Sequence, residues 1–295
     1  MNNEKKRSLL RNGAVQTLLA SLVCIVLGLL IGYVVLLIIN PSGAGQAILN
    51  IIKNFMYYPS PIKAMQYFGS TLVKTAPLLL CALSVLFAYK VGLFNIGAAG
   101  QYVAGAGASL YFALGLHMPW YVCVLAAVVV AALLAMISGA LKAYFNVNEV
   151  ISCIMLNWIS LYCVNMLLTG VKEQSTPYTR PLSSVNKDAL LPTMGLDKLF
   201  SNNQFVTIGI VFSVLIAIVV WIVMEKTKFG YELKATGLNK QAAKYCGMHE
   251  KSNTILTMMI AGGLAGLGAG IFYLSGIEQW MVPVSYTHLT LPTRS

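Results

Sequence analysis

Long apolar runs separated by shorter polar segments dominate the sequence, and they constrain its fold more than any other feature. Several runs reach about 20 residues, the length that an α-helix needs to cross the hydrocarbon core of a bilayer. Only 10% of the residues are charged, whereas a soluble domain carries about 25%. We therefore predict an all-α, polytopic helical membrane protein with seven spans, at about 14–39, 71–89, 101–116, 120–141, 150–169, 205–224 and 253–275.

Lysine and arginine residues are unevenly distributed among the connecting segments, and this asymmetry predicts the orientation. If the N-terminus is cytoplasmic, the segments on that side hold about twice as many of them as the segments on the other side, as the positive-inside rule requires. Topology then accounts for the net charge of +11 without a nucleic-acid partner. The same orientation places the lysine-rich segment 225–252 in the cytoplasm.

The last eleven residues, SYTHLTLPTRS at 285–295, do not continue the pattern of spans. They are polar and lack periodicity, and they resemble translated cloning sequence at the end of an incomplete reading frame. We interpret them as a non-native tail that follows a membrane domain at 1–284; the alternative is a genuine polar tail. Under the first interpretation the chain is C-terminally truncated, and the natural protein has further spans.

The sequence lacks the residue patterns that several classes of chemistry require. No predicted span has Asp, Glu or His near its centre, which argues against a proton- or sodium-coupled carrier, although backbone carbonyls can also bind sodium. The chain contains no GxxxxGK[ST] phosphate loop, and its cysteines form no CxxC pair. We expect no enzymatic activity, no cofactor bound by this chain and no metal site, so any energy for transport would come from a cytoplasmic partner.

The lysine-rich segment 225–252 contains a short predicted helix. Asn239 can cap its first turn, since an Asn side chain accepts hydrogen bonds from free amides at a helix start. Gly247 suits the position just beyond its end. A helix of two turns at Lys240–Cys246 is marginal alone. It could dock in the groove of a partner protein or form an ordinary solvated turn, and both interpretations stay open.

The stretch GLFNIGAAGQ, residues 92–101, places Asn95 and Gln101 among three glycines between two apolar runs. Glycine frees the backbone from the helix, and both amides can satisfy freed backbone groups or face an uncharged polar solute. One interpretation is a broken-helix element beside a substrate pathway, and the other is a simple loop whose glycines pack helices.

Two further patterns involve faces of single helices. At 100° per residue, the span after Asn148 gathers small and polar residues on one face: Glu149, Ser152, Cys153, Asn157, Ser160 and Cys163. This face could line a pathway or pack against a neighbouring helix. The last span carries Gly262, Gly266 and Gly270 at a spacing of four, which lets another backbone approach closely and indicates helix packing.

Three segments, taken together, resemble one known family. GLFNIGAAGQ (92–101) is similar to the GLFNIGAEGQ signature of bacterial nucleoside-type ABC transporter permeases. NEVISCIMLNWIS (148–160) resembles NEVISTIMLNYIA of that family, and GYELKATGLNKQAAKYCGM (230–248) resembles its G-x-E-L-R-A-V-G-x-N-x-x-A-A-x-Y-x-G segment. The matches occur in the family's order, and the resemblance covers about 5–284. The wider family includes permeases for ribose and other simple sugars and for branched-chain amino acids.

The resemblance implies a transport subunit in a bacterial cell membrane. Its partners would be two cytoplasmic ATPase subunits that use the ATP, a second permease subunit, identical or different, and an extracytoplasmic substrate-binding lipoprotein. Residues 225–252 would then be the coupling loop. Asn239 would cap the coupling helix, Ala242 and Ala243 would face the ATPase, and Tyr245 and Gly247 would fix its exit. The residues assigned to coupling are Gly237, Asn239, Ala242, Ala243, Tyr245 and Gly247.

The leading functional hypothesis is the permease subunit of an ATP-driven nucleoside importer. The candidate pathway residues are Asn95, Gln101, Ser152, Asn157 and Ser160. A permease for ribose or a related sugar is the alternative within the same class, and an ATP-independent secondary carrier is the alternative from another class. Ala99 stands where the family signature usually carries Glu, so the role of a polar group at that position is in doubt for this chain.

Overall fold

The described part of the computed structural model comprises residues 13–53, 60–173 and 175–282, and it consists of helices joined by turns. In chain order the α-helices are α1 (Gly13–Ile39), α2 (Ala44–Lys53), α3 (Pro61–Lys90), α4 (Ala98–Leu114), α5 (Trp120–Phe145), α6 (Glu149–Leu168), α7 (Leu182–Val185), α8 (Leu196–Leu199), α9 (Gly209–Lys226), α10 (Lys228–Leu238), α11 (Lys240–Tyr245) and α12 (Glu250–Leu274). Extended pairing in these ranges consists of isolated bridges, Lys172 with Thr179 and Tyr178 with Met281. The predicted all-α class is confirmed, whereas the predicted tail at 285–295 lies outside the described residues.

Six helices of the described chain are long and apolar enough to cross a membrane: α1 (from Leu19), α3, α5, α6 (continued to Val171), α9 and α12. The remaining predicted span, 101–116, corresponds to α4. That helix has 17 residues and is buried among its neighbours along most of its length. A helix that is apolar on every face is either buried in a core or spans a membrane, so the span at 101–116 stays a prediction. The span predicted at 71–89 begins ten residues earlier, at Pro61.

The chain divides into two compact units, Met1–Ala64 and Met65–Ser295. In the first unit, α1 is apolar on every face, and none of its most apolar stretch is buried within the chain. A helix of this kind suits direct contact with lipid. A tight turn links α1 to α2, in which the Asn40 side-chain oxygen accepts hydrogen bonds from Ser42 Oγ at 3.0 Å and Gly43 N at 3.2 Å.

The second unit is built around the contact of α12 with α5. The stripe of Gly262, Gly266 and Gly270 lies against Ala127, Ala131 and Ala135 of α5. A Cβ atom on Gly262 or Gly266 would overlap the alanine methyl groups and the backbone carbonyls of α5. Small residues on both helices therefore bring the two backbones close together, which favours dispersion contacts between apolar helices.

Helix α4 runs through the middle of this unit, between α5, α6 and α12. It crosses α12 where two glycines meet, because a Cβ on Gly105 would lie 2.6 Å from the Cα atom of Gly266. At the far end of α4, the Asn186 side chain donates hydrogen bonds to the carbonyls of Ala113 and Met118, both at 3.0 Å. These bonds fix the irregular segment between α6 and α9 to the end of α4.

A short turn joins α5 to α6, and its residue types explain its shape. Asn146 ends α5 in the left-handed conformation, with φ of 52°, and Asn148 caps α6 by accepting a hydrogen bond from Val150 N at 2.9 Å. Asn tolerates both roles better than most residues. Glu149 occupies the first turn of α6 and forms an ion pair with Lys142 at 2.8 Å, and a carboxylate at a helix start is favoured by the helix dipole.

Candidate functional site

The segment 91–97 forms a non-helical return between α3 and α4. Gly92 has φ of +72°, a conformation that costs glycine little and other residues more. Asn95 then comes back to the level of Ser84, about 9 Å along α3 from its end at Lys90, and donates a hydrogen bond to the Ser84 hydroxyl at 3.2 Å. Gly92 therefore permits a chain reversal that brings the Asn95 side chain into a buried position.

Asn95 and Gln101 form a reciprocal amide pair. The Asn95 amide donates to Gln101 Oε1 at 2.9 Å, and the Gln101 amide donates to Asn95 Oδ1 at 3.0 Å. Their exposed fractions are 1% and 2%. Burial of an amide is costly unless it is hydrogen-bonded, so the two side chains stabilise each other and hold the return segment against the start of α4.

Helix α4 lacks a capping side chain from its own N-cap residue, Gly97, and α6 supplies the missing acceptor. Asn157 Oδ1 accepts from the Gly100 amide at 2.9 Å, and Asn157 Nδ2 donates to the Ile96 carbonyl at 3.1 Å. Ser160 Oγ donates to the Gly100 carbonyl at 2.8 Å. The first amides of a helix have no intrahelical partner, so Asn157 caps α4 from a distant part of the chain.

The tertiary structure thus brings together four of the five residues predicted for the pathway. Ser152 stays apart, since its hydroxyl donates to the Asn148 carbonyl of its own helix at 3.1 Å. Within the described residues, every buried side-chain nitrogen or oxygen has a hydrogen-bond partner. The polar groups of this cluster are therefore used within the chain in this conformation, and their contact with a substrate stays a prediction.

An open depression of about 740 Å³ lies beside this cluster, between α3, α4 and α12; we name it the α3–α4–α12 cavity. Its wall is mainly apolar, and it includes Ala98 and Ala99 at the start of α4. The residues with reactive or polar groups on this wall are Lys74, Cys81 and Tyr102. The sequence reasoning missed this site, although a lysine within the span of α3 is a signal that could have found it.

The aromatic ring of Tyr102 begins a row that leads away from this cavity. Its centroid lies 6.4 Å from that of Tyr273, which lies 5.7 Å from that of Trp280. The Trp280 indole N–H donates to Asn165 Oδ1 at 3.0 Å. The Tyr102 hydroxyl makes no hydrogen bond to the described residues, so it is available to a bound solute.

The lysine-rich segment forms two helices, α10 and α11, of which only α11 was anticipated. Asn239 caps α11, with its Oδ1 accepting from Ala242 N at 3.0 Å. Gly247 has φ of +78°, and Met248 N bonds to Ala243 O while Gly247 N bonds to Lys244 O. These two bonds are those of a Schellman ending, so the sequence signals for both ends of the helix are confirmed.

The two alanines assigned to coupling differ in their surroundings. Ala242 is exposed, whereas Ala243 is buried against its own chain, with an exposed fraction of 3%. Both cannot face a partner in this conformation, because α11 turns Ala243 inward. Leu238, at the end of α10, and Tyr245, the last residue of α11, are 89% and 90% exposed, so two large apolar side chains near Ala242 in the chain are open to a partner.

Helix α10 touches the return segment directly. Gly237, at its end, packs backbone against backbone on Val91 and Gly92. At the preceding residue, Thr236 Oγ1 accepts a hydrogen bond from the Asn253 amide of α12 at 2.9 Å, and both residues are buried. The segment that carries α11 is therefore joined to the return segment and to the glycine-rich helix.

These features define a class: a multi-pass helical membrane protein whose lysine-rich surface segment packs on a broken-helix element. The sequence profile of the family described as the permease component of branched-chain amino acid transport systems matches residues 67–290. The chain belongs to this permease family. The family resemblance of its three motifs is confirmed. No solved structure matches the chain.

Several relatives with assigned names are similar to most of the chain. The guanosine ABC transporter permease protein NupP of Bacillus subtilis is 32% identical over 276 residues, which cover 92% of this chain and 76% of NupP. The nucleoside ABC transporter permease protein NupB of Lactococcus lactis is 33% identical, covering 93% of this chain and 75% of NupB. The glucose ABC transporter permease protein TsgB13 of Haloferax volcanii is 34% identical, covering 72% of this chain and 58% of TsgB13.

Proposed function

We propose that this protein is the membrane-spanning permease subunit of an ATP-driven importer for nucleosides. The contact of Gly237 with Gly92 carries the proposal, because it joins the segment around α11 to the return segment beside the α3–α4–α12 cavity. Movement of α11 by a partner would be transmitted to that segment without an intervening flexible loop. The choice of nucleosides rests on NupP and NupB, which are similar to more than nine tenths of the chain.

The proposed partners are those that the family resemblance implies. Separate ATPase subunits in the cytoplasm would bind the exposed surface of Leu238, Ala242 and Tyr245, and they would use the ATP; this chain would perform no covalent chemistry. A second permease subunit would complete the pathway, and an extracytoplasmic binding lipoprotein would deliver the solute. The protein would lie in the bacterial cell membrane with its N-terminus in the cytoplasm. This orientation places α10 and α11 on the cytoplasmic side, where the ATPase subunits would use ATP.

A sugar importer is the second candidate within the class, and its support is the similarity to TsgB13. Ribose is also part of every ribonucleoside, so a site that accepts sugar hydroxyls is common to both candidates. The base distinguishes them, because it adds a large aromatic face that a sugar lacks. Competition between a nucleoside and free ribose therefore separates the two functions.

The test is uptake by membrane vesicles that contain the complete permease, expressed from its natural gene with its cognate ATPase and binding protein. Labelled guanosine, adenosine and uridine are supplied outside, ATP is loaded inside, and ribose, glucose and leucine serve as competitors. A matched control carries an ATPase that binds ATP without hydrolysing it. We expect uptake that requires hydrolysis and resists all three competitors. Inhibition by ribose or glucose would support the sugar importer, and uptake without ATP hydrolysis would exclude both.

A further inference from the structure

We propose that the α3–α4–α12 cavity is the site where the transported nucleoside rests within this subunit, with its base against Tyr102. This inference depends on the proposed function and adds a location to it. The cavity volume of about 740 Å³ lies within the range of roughly 300–1,000 Å³ that small-molecule sites occupy. It is mostly apolar with a few polar groups, as sites for amphipathic solutes are.

A charged pair stands at one side of this cavity. Lys74, on the cavity wall, forms an ion pair with Glu278 at 2.9 Å, and both side chains are about half exposed, at 55% and 51%. Charged residues within membrane spans are rare and usually paired, and they mark pathways for polar solutes or ions. The pair can bind an uncharged polar solute, since the carboxylate accepts hydrogen bonds from ribose hydroxyls and the ammonium donates.

Glu278 also lines a second, more polar pocket of about 320 Å³, formed by the segments around 179–205 and 275–279. Hydroxyl and amide side chains of Thr179, Ser183, Gln204 and Gln279 lie on its wall. The Lys74–Glu278 pair is therefore the boundary between a polar pocket and the mainly apolar cavity. A nucleoside that passes this boundary meets polar groups first and an apolar wall with an aromatic ring next.

The opposite end of the cavity is formed by Ala98 and Ala99. They follow the return segment directly in the chain, so a solute in the cavity would contact the start of α4, next to the segment that Gly237 touches. Ala99 is also the position where the family signature usually carries Glu. A carboxylate there would project toward the same space, whereas Ala99 leaves that wall apolar, so position 99 is a determinant of which solute fits.

A second groove in the same unit serves as a comparison for the α3–α4–α12 cavity. A groove of about 520 Å³ between α4, α5 and α6 is lined by apolar residues, Tyr111, Cys163 and Ser160. Its Ser160 hydroxyl already bonds to the Gly100 carbonyl, and it contains no charged residue. It suits a lipid chain. It also provides a control, because this groove and the α3–α4–α12 cavity each contain one cysteine and one tyrosine, and both tyrosines belong to α4.

The experiment compares Cys81, in the proposed site, with Cys163, in the control groove. Two single-cysteine forms of the complete transporter are prepared, with the other cysteines replaced by serine or alanine, and a third carries Ala99→Cys alone. Each is treated in vesicles with a polar methanethiosulfonate reagent, with and without guanosine, and uptake of guanosine is measured in the same vesicles. Guanosine at ten times its half-saturating concentration leaves about a tenth of the sites free.

We expect the reagent to label Cys81 or the cysteine at 99 about tenfold more slowly with guanosine, and labelling at Cys163 to be unaffected. Tyr102→Ala should raise the half-saturating concentration for guanosine, and the matched Tyr111→Ala should not. If vesicles that import guanosine show no protection at either cavity position, or protection at Cys163 alone, the site is wrong while the function stands. If neither the untreated single-cysteine forms nor the unmodified protein takes up guanosine, the proposed function itself is overturned.

Discussion

Gly92 and Gly237 pack backbone against backbone, and a Cβ atom on Gly92 would lie 2.9 Å from the Gly237 carbonyl oxygen. The contact joins two segments that are distant in sequence, each of which resembles a motif of the permease family. It leaves no space for any side chain on either residue. The contact joins the end of α10, which precedes α11 in the chain, to the return segment.

Gly237→Ala should therefore separate α10 from the return segment. The new methyl group would overlap the Val91 carbonyl, and overpacking of this kind costs about 1–3 kcal/mol of folding stability. We expect at least a tenfold loss of coupled uptake with ATPase activity retained in the assembled complex. The control is Gly170→Ala, where a Cβ meets open space. Equal uptake by the two variants would show that the contact does not transmit movement.

Ala242 and Ala243 should respond differently to a bulky side chain. Ala242→Trp adds the ring on an exposed surface, so the protein should fold normally but lose ATP-driven uptake because the partner no longer fits. Ala243→Trp forces the ring into a buried position, so the protein should be destabilised by about 1–3 kcal/mol or more. Thermal unfolding in detergent, together with uptake, measures both effects. A destabilised Ala242 variant with a stable Ala243 variant would contradict the arrangement of α11.

Asn157→Ala should weaken the start of α4. It leaves the buried Gly100 amide without its acceptor, and an unsatisfied buried donor costs about 1–3 kcal/mol. Ser152→Ala is the control on the same helix, because its hydroxyl donates to a carbonyl of its own helix and should cost under about 0.5 kcal/mol. The measurement is thermal unfolding of the purified protein in detergent. Equal losses would mean that Asn157 does not cap α4.

The Asn95–Gln101 pair should show strong energetic coupling. Asn95→Ala leaves the Gln101 amide without these partners, and Gln101→Ala leaves Asn95 Oδ1 without its donor while the Asn95 amide still donates to Ser84. The double variant removes both groups. We expect a coupling free energy of about 1–3 kcal/mol in a double-mutant cycle of thermal stability. The control cycle pairs Asn95→Ala with Ser109→Ala, whose hydroxyl bonds only within α4. A coupling energy near zero for Asn95 and Gln101 would contradict the reciprocal bonds.

Two glycines of α12 should differ in their tolerance of a methyl group. Gly266 faces the backbone of α5, where an added Cβ would overlap Ala127 and Ala131. Gly263→Ala is the control, since its Cβ would lie 3.4 Å from Val128, an ordinary contact distance. We expect Gly266→Ala to lower stability by roughly 1–3 kcal/mol and Gly263→Ala to be neutral or slightly stabilising because it favours the helix. Unfolding of the two purified variants decides between these outcomes.

The sequence alone determined the class of the protein and the local ends of several helices. Runs of about 20 apolar residues require helices in a bilayer, since no water is there to satisfy backbone groups. Asn239 and Gly247 identified the ends of α11, because capping depends on residues adjacent in the chain. The motif matches at 92–101, 148–160 and 230–248 identified the family for the same reason: each motif is local.

The tertiary structure decided which distant residues meet. Sequence periodicity put Asn157 and Ser160 on one face of α6, but only the packed chain shows that they bond to Gly100 of α4. It also decided that α4 is a buried central helix, that Ala243 turns inward, and that Lys74 faces a cavity. These facts depend on the relative positions of helices, which close contacts between small residues set, and no local pattern in the sequence records those distances.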